Sequence, residues 1–367
     1  MDTRFKIPWA KPILYGREKV HLVDALESTW ISGGYYVDKF EEEFTRVCGS
    51  KYGITTSNGT TALQLAILAL GIGAGDEVIV PGFTFVAPVN MVIEAGAKPV
   101  YADIDPLTWC IDPKSVAQRI TNKTKAIIAV HIYGNVCDMS ALAELAKKHN
   151  LFLIEDTAEA AFSQYKGKYA GTFGDLGCFS FQATKTLTMG EGGFVLTTNA
   201  QLYEKMKLIR DHGMRKDKRY WHDAIGYNFR LTNLQAAVGY GQLEMIDRVI
   251  EERQRVYQLY KTHLGNEKGI IMQHFVSQVK PVVWAVALRV DTKHFAGDRD
   301  FIMRALLDAG VETRPGFYSF DVMPLYKAPL LPISSEVSAE VVSLPFFATL
   351  SEEEVAYICA YLKKLRK

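Results

Sequence analysis

Lys185 sits in "CFSFQATKTLTMGEGGFVLTT", residues 178–198, five residues before the turn Gly190-Glu191-Gly192-Gly193. Alone, a lysine on a loop reads as a solvated surface charge. Here Ala183, Thr184, Thr186, Leu187 and Met189 bring no charge to solvate a surface patch. A lysine taken out of water has its pKa lowered, which frees the amine to act as nucleophile and base. Schiff-base chemistry, with a carbonyl compound or with pyridoxal phosphate, requires such an amine.

Other residues fit the same chemistry. Asp156 lies in "LFLIEDTAEA" (151–160), at the end of a very apolar run. A strand-end acid is more often a helix cap, but a pyridoxal phosphate site needs a carboxylate against the pyridinium nitrogen. "TSNGTTALQLA" places Ser57, Asn58, Gly59 and Thr60 before a helical pattern. Helix N-terminal amides bind phosphate, although an ordinary N-cap explains the string equally well. "PGFTF" places Phe85 beyond a strand, as core or as a ring that stacks on a flat cofactor. Singly these signals are weak. Their order is phosphate turn, aromatic, carboxylate, lysine, each at a strand end, and that set matches what pyridoxal phosphate needs.

Other chemistries find no support. "GIGAGDE" (71–77) follows a helix and lacks the G-x-G-x-x-G spacing of a dinucleotide fold. No phosphate-loop lysine motif or HExxH is present, and the histidine spacing suggests no metal site. Net charge is +1, so no global field favours nucleic acid or membrane. The five cysteines, Cys48, Cys110, Cys137, Cys178 and Cys359, form no C-x-x-C pair and read as free buried thiols in a reducing compartment. The N-terminal "MDTRFKIPWAKPIL" lacks a signal-peptide core, and no stretch approaches membrane-span length. A cytoplasmic protein is expected.

Strand and helix patterns alternate through the first two-thirds. Helices are expected over 59–72, 86–96, 113–121 and 139–150, and strands over 76–85, 98–105, 124–134 and 151–160. This rhythm predicts an α/β fold, a mostly parallel sheet flanked by helices, with ligands outside the carboxyl ends of the strands. A long helical pattern over 231–264 leads into a smaller C-terminal α+β part. That part holds a strand at 282–290, a helix at 298–310, a short strand at "VETRP" and a helix at 351–367 capped by Ser351. The expected division is 1–245 and 246–367, with N-terminal residues packing beside the smaller part.

Several blocks then resemble a known family: "SNGTTALQLAILALGIGAGDEVIVPGFTFVAP", "TKAIIAVHIYGNVCDM", "NLFLIEDTAEA", "YKGKYAGTFGDLGCFSF" and "IGYNFRLTNLQAAVGYGQLE". They are similar to the nucleotide-sugar aminotransferases, pyridoxal phosphate enzymes of fold type I, over nearly the whole chain. The resemblance implies that Lys185 links to the cofactor and shuttles protons. It places Asp156 at the ring nitrogen, Glu159 by the ring oxygen and Phe85 on the ring face. Gly59, Thr60 and Ser180 would hold the phosphate. Asn228 would reach the phosphate in the neighbouring subunit, so the active site needs a homodimer. Arg314 and Tyr318 would lie near the sugar nucleotide. L-glutamate is the implied amino donor.

Within the family the likeness is greatest to enzymes that aminate C4 of GDP-4-keto-6-deoxymannose. The chain departs from those at Thr184, Ser319 and Asp321, where they tend to have Asn, Pro and His. The expectation is that these changes fall near the substrate. That leaves a second acceptor class open, a 3-keto sugar nucleotide or a small phosphorylated ketone. A non-catalytic sensor that binds the cofactor is a further alternative.

Overall fold

The computed structural model describes residues 6–367. Strands β1 (Tyr52–Thr56), β2 (Glu77–Pro81), β3 (Lys98–Ala102), β4 (Thr124–Val130) and β5 (Phe152–Asp156) come first. A hairpin of β6 (Gln164–Tyr165) and β7 (Lys168–Tyr169) follows, then β8 (Leu176–Ser180) and β9 (Gly193–Thr197). Seven of these form one sheet in the order β1-β9-β8-β5-β4-β2-β3. Only β9 runs against its neighbours; the other pairings in the sheet are parallel.

The central strands are apolar along their length because helices cover both faces. On one face Val80, Ile128 and Ile154 pack with Leu65 of helix Gly59–Ala69, Val89 of helix Ala87–Glu94 and Met206 of helix Ala200–Arg210. The alternate residues Ile79, Ile127 and Leu153 face Val116 of helix Pro113–Arg119 and Leu142 of helix Met139–His149. An aromatic cluster of Phe40, Phe44, Phe179, Phe181 and Phe194 closes the β8–β9 end.

After β10 (Ile270–Met272) and β11 (Val279–Lys280) come β12 (Val286–Val290), β13 (Arg314–Pro315) and β14 (Val341–Leu344). A second, antiparallel sheet runs β10-β12-β14-β13. Its core gathers Tyr260, Ile302 and Ile358 from helices Ile246–Leu264, Arg299–Asp308 and Glu352–Lys364. Ile7 joins that core, and the Trp9 indole N–H donates to Ser343 Oγ at 2.9 Å.

Three expectations need correction. The pattern over 231–264 is two helices, Asn233–Leu243 and Ile246–Leu264. The first must press on helix Arg17–Glu27: a Cβ on Gly241 would lie 2.6 Å from the Glu18 nitrogen. The second must leave for the other core, so the chain turns at Glu244 and Met245. The expected strand at 282–290 pairs only from Val286. Its first residues instead bind the loops that follow β4 and β5, with Val282 N–H on Ser163 Oγ at 2.8 Å and the Trp284 backbone N–H on the Tyr133 carbonyl at 3.2 Å. "VETRP" likewise pairs only at Arg314–Pro315. All five cysteines are buried and free. Among the described residues, no helix is long and apolar enough to cross a membrane.

Candidate active site

The carboxyl ends of β1, β2, β4, β5 and β8 open on one cleft of about 770 Å³. Gly59, Thr60, Phe85, Asp156, Glu159, Ser180 and Lys185 all line it. It continues into a compartment of about 520 Å³ that shares Trp9, Thr84, Phe85, Thr184, Trp284 and Phe317 and adds Arg314 and Tyr318. Asn228 lines neither. It is exposed, and its side-chain oxygen accepts from Arg230 Nε at 3.1 Å.

Local geometry explains the placement. After β8 the chain makes a tight excursion: Lys185 N–H donates to the Gln182 carbonyl at 2.8 Å and Phe181 N–H to the Gly192 carbonyl at 2.8 Å. Gly190 takes a φ of +85°, which favours glycine. Gly193 then passes so close to the Ser57–Thr60 turn that a Cβ would lie 2.2 Å from the Asn58 carbonyl oxygen. The glycine turn thus returns the chain against the helix whose N-terminus faces the cleft.

Asn58 caps that helix: its side chain accepts from Thr61 N–H at 2.9 Å, and the Thr61 hydroxyl reciprocates on Asn58 N–H. A Cβ on Gly59 would sit 2.7 Å from Ser180 Cβ, so a glycine here brings helix amides and the Ser180 hydroxyl together. Helix dipole and free amides make this an anion cradle.

The charges lie deeper. Lys185 Nζ stands 3.7 Å from Glu159 Oε1 and 3.9 Å from the centre of the Trp284 ring. Burial holds the Lys185 amine below the ordinary lysine range, although Glu159 and Asp156 pull it back. Burial pushes the Glu159 carboxyl up to about 7 against the pull of Lys185 and the Tyr133 N–H. Asp156 is also raised by burial, opposed by the Ala158 N–H at 3.1 Å and by Lys185 and His131.

Behind Asp156 lies a pair that sequence reasoning left without a role. His131 Nε2 meets Glu155 Oε2 at 3.0 Å with both side chains fully buried. Cys137 N–H donates to His131 Nδ1 at 3.2 Å, so the ring proton is on Nε2 and points at Glu155. Glu155 also accepts from Gly171, Phe173 and Gly174 N–H groups. The strings "AVHIYG" and "LIEDT" hold both residues, but only the β4–β5 register brings them together. Trp284, Trp9 and Phe317 were missed as lining residues because each reads as ordinary core.

Ser319 and Asp321 do not line the cleft. The Ser319 hydroxyl bonds Asp321, which also accepts from Leu331 N–H at 3.0 Å and Ser335 Oγ at 2.6 Å. The pair braces the start of helix Pro332–Glu340, which corrects the expectation that both changes border the substrate. Thr184 does line the cleft; its hydroxyl and N–H bond Gln182 Oε1.

The donor set fits pyridoxal phosphate. It offers a buried carboxylate, a depressed amine, a phosphate cradle that a Cβ would fill, and Phe85, 54% exposed where a flat ring could lie.

Comparison with known proteins agrees. The DegT/DnrJ/EryC1/StrS aminotransferase family matches residues 13–363. The chain is 45% identical over 357 residues to a GDP-perosamine synthase of Escherichia coli O157:H7, covering 96% of each. It is 40% identical over 364 residues to the GDP-perosamine synthase of Vibrio cholerae, covering 97% of this chain and 98% of that one. A putative sugar aminotransferase of Streptococcus pneumoniae, solved in its PMP form, superposes with a TM-score of 0.93 at 27% identity, covering 98% of this chain and 99% of that one. An aminotransferase match over almost the entire length, joined to this cleft, shows that the chain belongs to the DegT/DnrJ/EryC1/StrS aminotransferase family.

Proposed function

We propose that the protein is a pyridoxal phosphate-dependent transaminase of keto sugar nucleotides that converts GDP-4-keto-6-deoxymannose to GDP-perosamine with L-glutamate as donor. The observation that carries this reading is one cleft holding Lys185, Asp156 and the Gly59–Ser180 cradle, continuous with a second compartment at Arg314 and Tyr318. The likeness to the two GDP-perosamine synthases supports the acceptor.

The cofactor supplies an electron sink once bound. The rest is the chain's work. Gly59 and Thr60 amides and the Ser180 hydroxyl would hold the phosphate, while the Asp156 carboxylate would keep the ring nitrogen protonated. Phe85 would cover one ring face and Glu159 would lie at the ring oxygen. Lys185 Nζ, depressed by burial, takes the proton from the donor carbon and later delivers one to the sugar carbon. Arg314 and Tyr318 orient the sugar nucleotide.

A homodimer is part of this reading. Trp30, Tyr35 and Ile225 are exposed, as are Val20, Val23 and Leu26 along helix Arg17–Glu27, and an interface between two copies would cover such apolar side chains. Asn228 would then serve the partner's phosphate cradle. A division near residue 245, a cytoplasmic location and a place in surface-polysaccharide synthesis such as O-antigen belong to the same proposal.

A panel of GDP- and dTDP-linked 4-keto-6-deoxy sugars, 3-keto sugar nucleotides and small phosphorylated ketones tests the acceptor. Turnover of the GDP-linked 4-keto sugar is expected. No turnover of any 4-keto-6-deoxy sugar nucleotide would overturn it.

A further inference from the structure

We propose that Trp284 is a positioning residue for the catalytic lysine: its indole face docks the Lys185 amine whenever that amine is not bonded to the cofactor. The inference rests on the transaminase reading. It is carried by geometry around one ring.

Lys185 Nζ lies 3.9 Å from the Trp284 ring centre, within cation–π range, while Glu159 Oε1 at 3.7 Å is beyond hydrogen-bond length. The Lys185 side chain is 14% exposed, and a ring–ammonium attraction strengthens as water is removed. The same indole donates its N–H to the Thr184 carbonyl at 2.8 Å, one residue before Lys185. One side chain therefore grips both the lysine's head and its backbone.

Trp284 is held through both its backbone and its ring. The Trp284 backbone N–H donates to the Tyr133 carbonyl at 3.2 Å, and its backbone carbonyl accepts from Arg253 Nη1 at 3.2 Å. Tyr133 stacks on it with ring centroids 6.1 Å apart, and Trp9 meets it edge-on at 5.7 Å. Tyr133 N–H in turn holds Glu159 at 3.0 Å. The ammonium is thus bracketed by a carboxylate and an aromatic face that share Tyr133 as support.

A transaminating lysine must leave the cofactor, remain in the cleft and return its proton to a different carbon. A dock of this kind holds the protonated amine near both positions with a weaker pull toward ammonium than a tight ion pair would exert. The charged groups facing the amine are Glu159 and Asp156; Arg253 faces the carbonyl of Trp284. Removing the ring leaves burial less opposed, so the amine should become easier to deprotonate.

The test compares wild type, W284F and W284L as full-length protein. Phe keeps a π face but no donor; Leu keeps neither. One measurement is the pH midpoint for capture of added pyridoxal phosphate by the stripped chain, read from visible absorbance. The other is steady-state turnover of the holoenzyme with L-glutamate and the keto sugar. W284L should lower the midpoint and reduce kcat about tenfold with KM changed less than about twofold. W284F should stay within about threefold of wild type on kcat.

Equal loss in both variants would assign the effect to the N–H on Thr184 and overturn the dock, as would W284L behaving like wild type. Should W284L fail to fold, tryptophan emission decides. A pH-dependent component present in wild type and absent from both W284F and K185A supports the dock; its persistence in W284F overturns it. If wild type captures no cofactor, the transaminase reading fails instead.

Discussion

Glu159 Oε1 faces the Nζ of Lys185 at 3.7 Å, and burial brings their proton affinities together from opposite directions. The carboxyl rises from 4.5 to about 7 while the amine falls. In the cofactor-free chain, the folded state therefore holds a proton on Glu159 over a range where the unfolded chain has lost it. Stability from this group is full below pH 4.5, falls as pH rises to about 7 and is level above. E159Q carries no such proton, so its unfolding free energy should decline less between those limits, by a few kcal/mol at most. Urea unfolding of both proteins at several pH values checks this; parallel curves would refute it.

Asp156 is expected to matter through charge. D156N keeps the shape and the Ala158 N–H contact but cannot stay negative against a ring nitrogen. Transamination should fall by about a thousandfold, the scale of a lost preorganised electrostatic partner. Far-ultraviolet dichroism should be unchanged. Activity within about tenfold of wild type would remove Asp156 from its proposed role.

The cradle makes a two-position prediction. G59A forces a Cβ to within 2.7 Å of Ser180 Cβ, so the helix start must shift and cofactor affinity should drop by about a hundredfold. S180A loses only a hydroxyl donor, and about tenfold is expected. The double variant G59A/S180G relieves the clash without restoring the donor. Its thermal midpoint should recover while its affinity does not, a non-additivity expected of touching residues. Fluorescence titration with pyridoxal phosphate and melting curves separate the two effects.

Glu155 should be a stability residue. Its carboxylate receives His131 Nε2 and three backbone N–H groups, from Gly171, Phe173 and Gly174. E155A strands all four donors in a dry site and should cost about 3–5 kcal/mol. Because β5 carries Glu155 and Asp156 in succession, cofactor affinity should weaken as well. Chemical denaturation gives the first quantity; a loss below about 1 kcal/mol would show the network to be dispensable.

What could be read from the chain followed from chemistry that repeats locally. Lys185, Asp156 and the Ser57–Thr60 turn stand at ends of apolar runs, and a buried parallel sheet needs such runs. Trp284 could not be read, because its task depends on a stretch crossing from the second sheet to the loops after β4 and β5 of the first. His131 and Glu155 meet only through the register of β4 and β5, strands that a whole helix separates in sequence. Helix Arg17–Glu27 escaped for another reason. Val20, Leu22, Val23 and Leu26 face outward, so no buried stripe marks it. Strand β1 is five residues long with two threonines, too short for a period to show.

The exposed apolar faces and Asn228 lead to the last prediction. If Asn228 serves the partner's cradle, a K185A chain paired with an N228D chain carries both defects in one site and leaves the other site intact. K185A leaves its own site without the amine, and N228D sets a carboxylate against the partner's phosphate. Each homodimer should be nearly inactive. Mixing the chains at equal amounts under conditions that exchange subunits should yield about half heterodimers, each with one intact site. Activity should then climb to about a quarter of wild type. The gain should track the heterodimer fraction resolved by differently tagged chains. If the mixture stays at the level of the two parents despite demonstrated exchange, Asn228 does not complete a neighbour's site, and each chain works with what its own cleft contains.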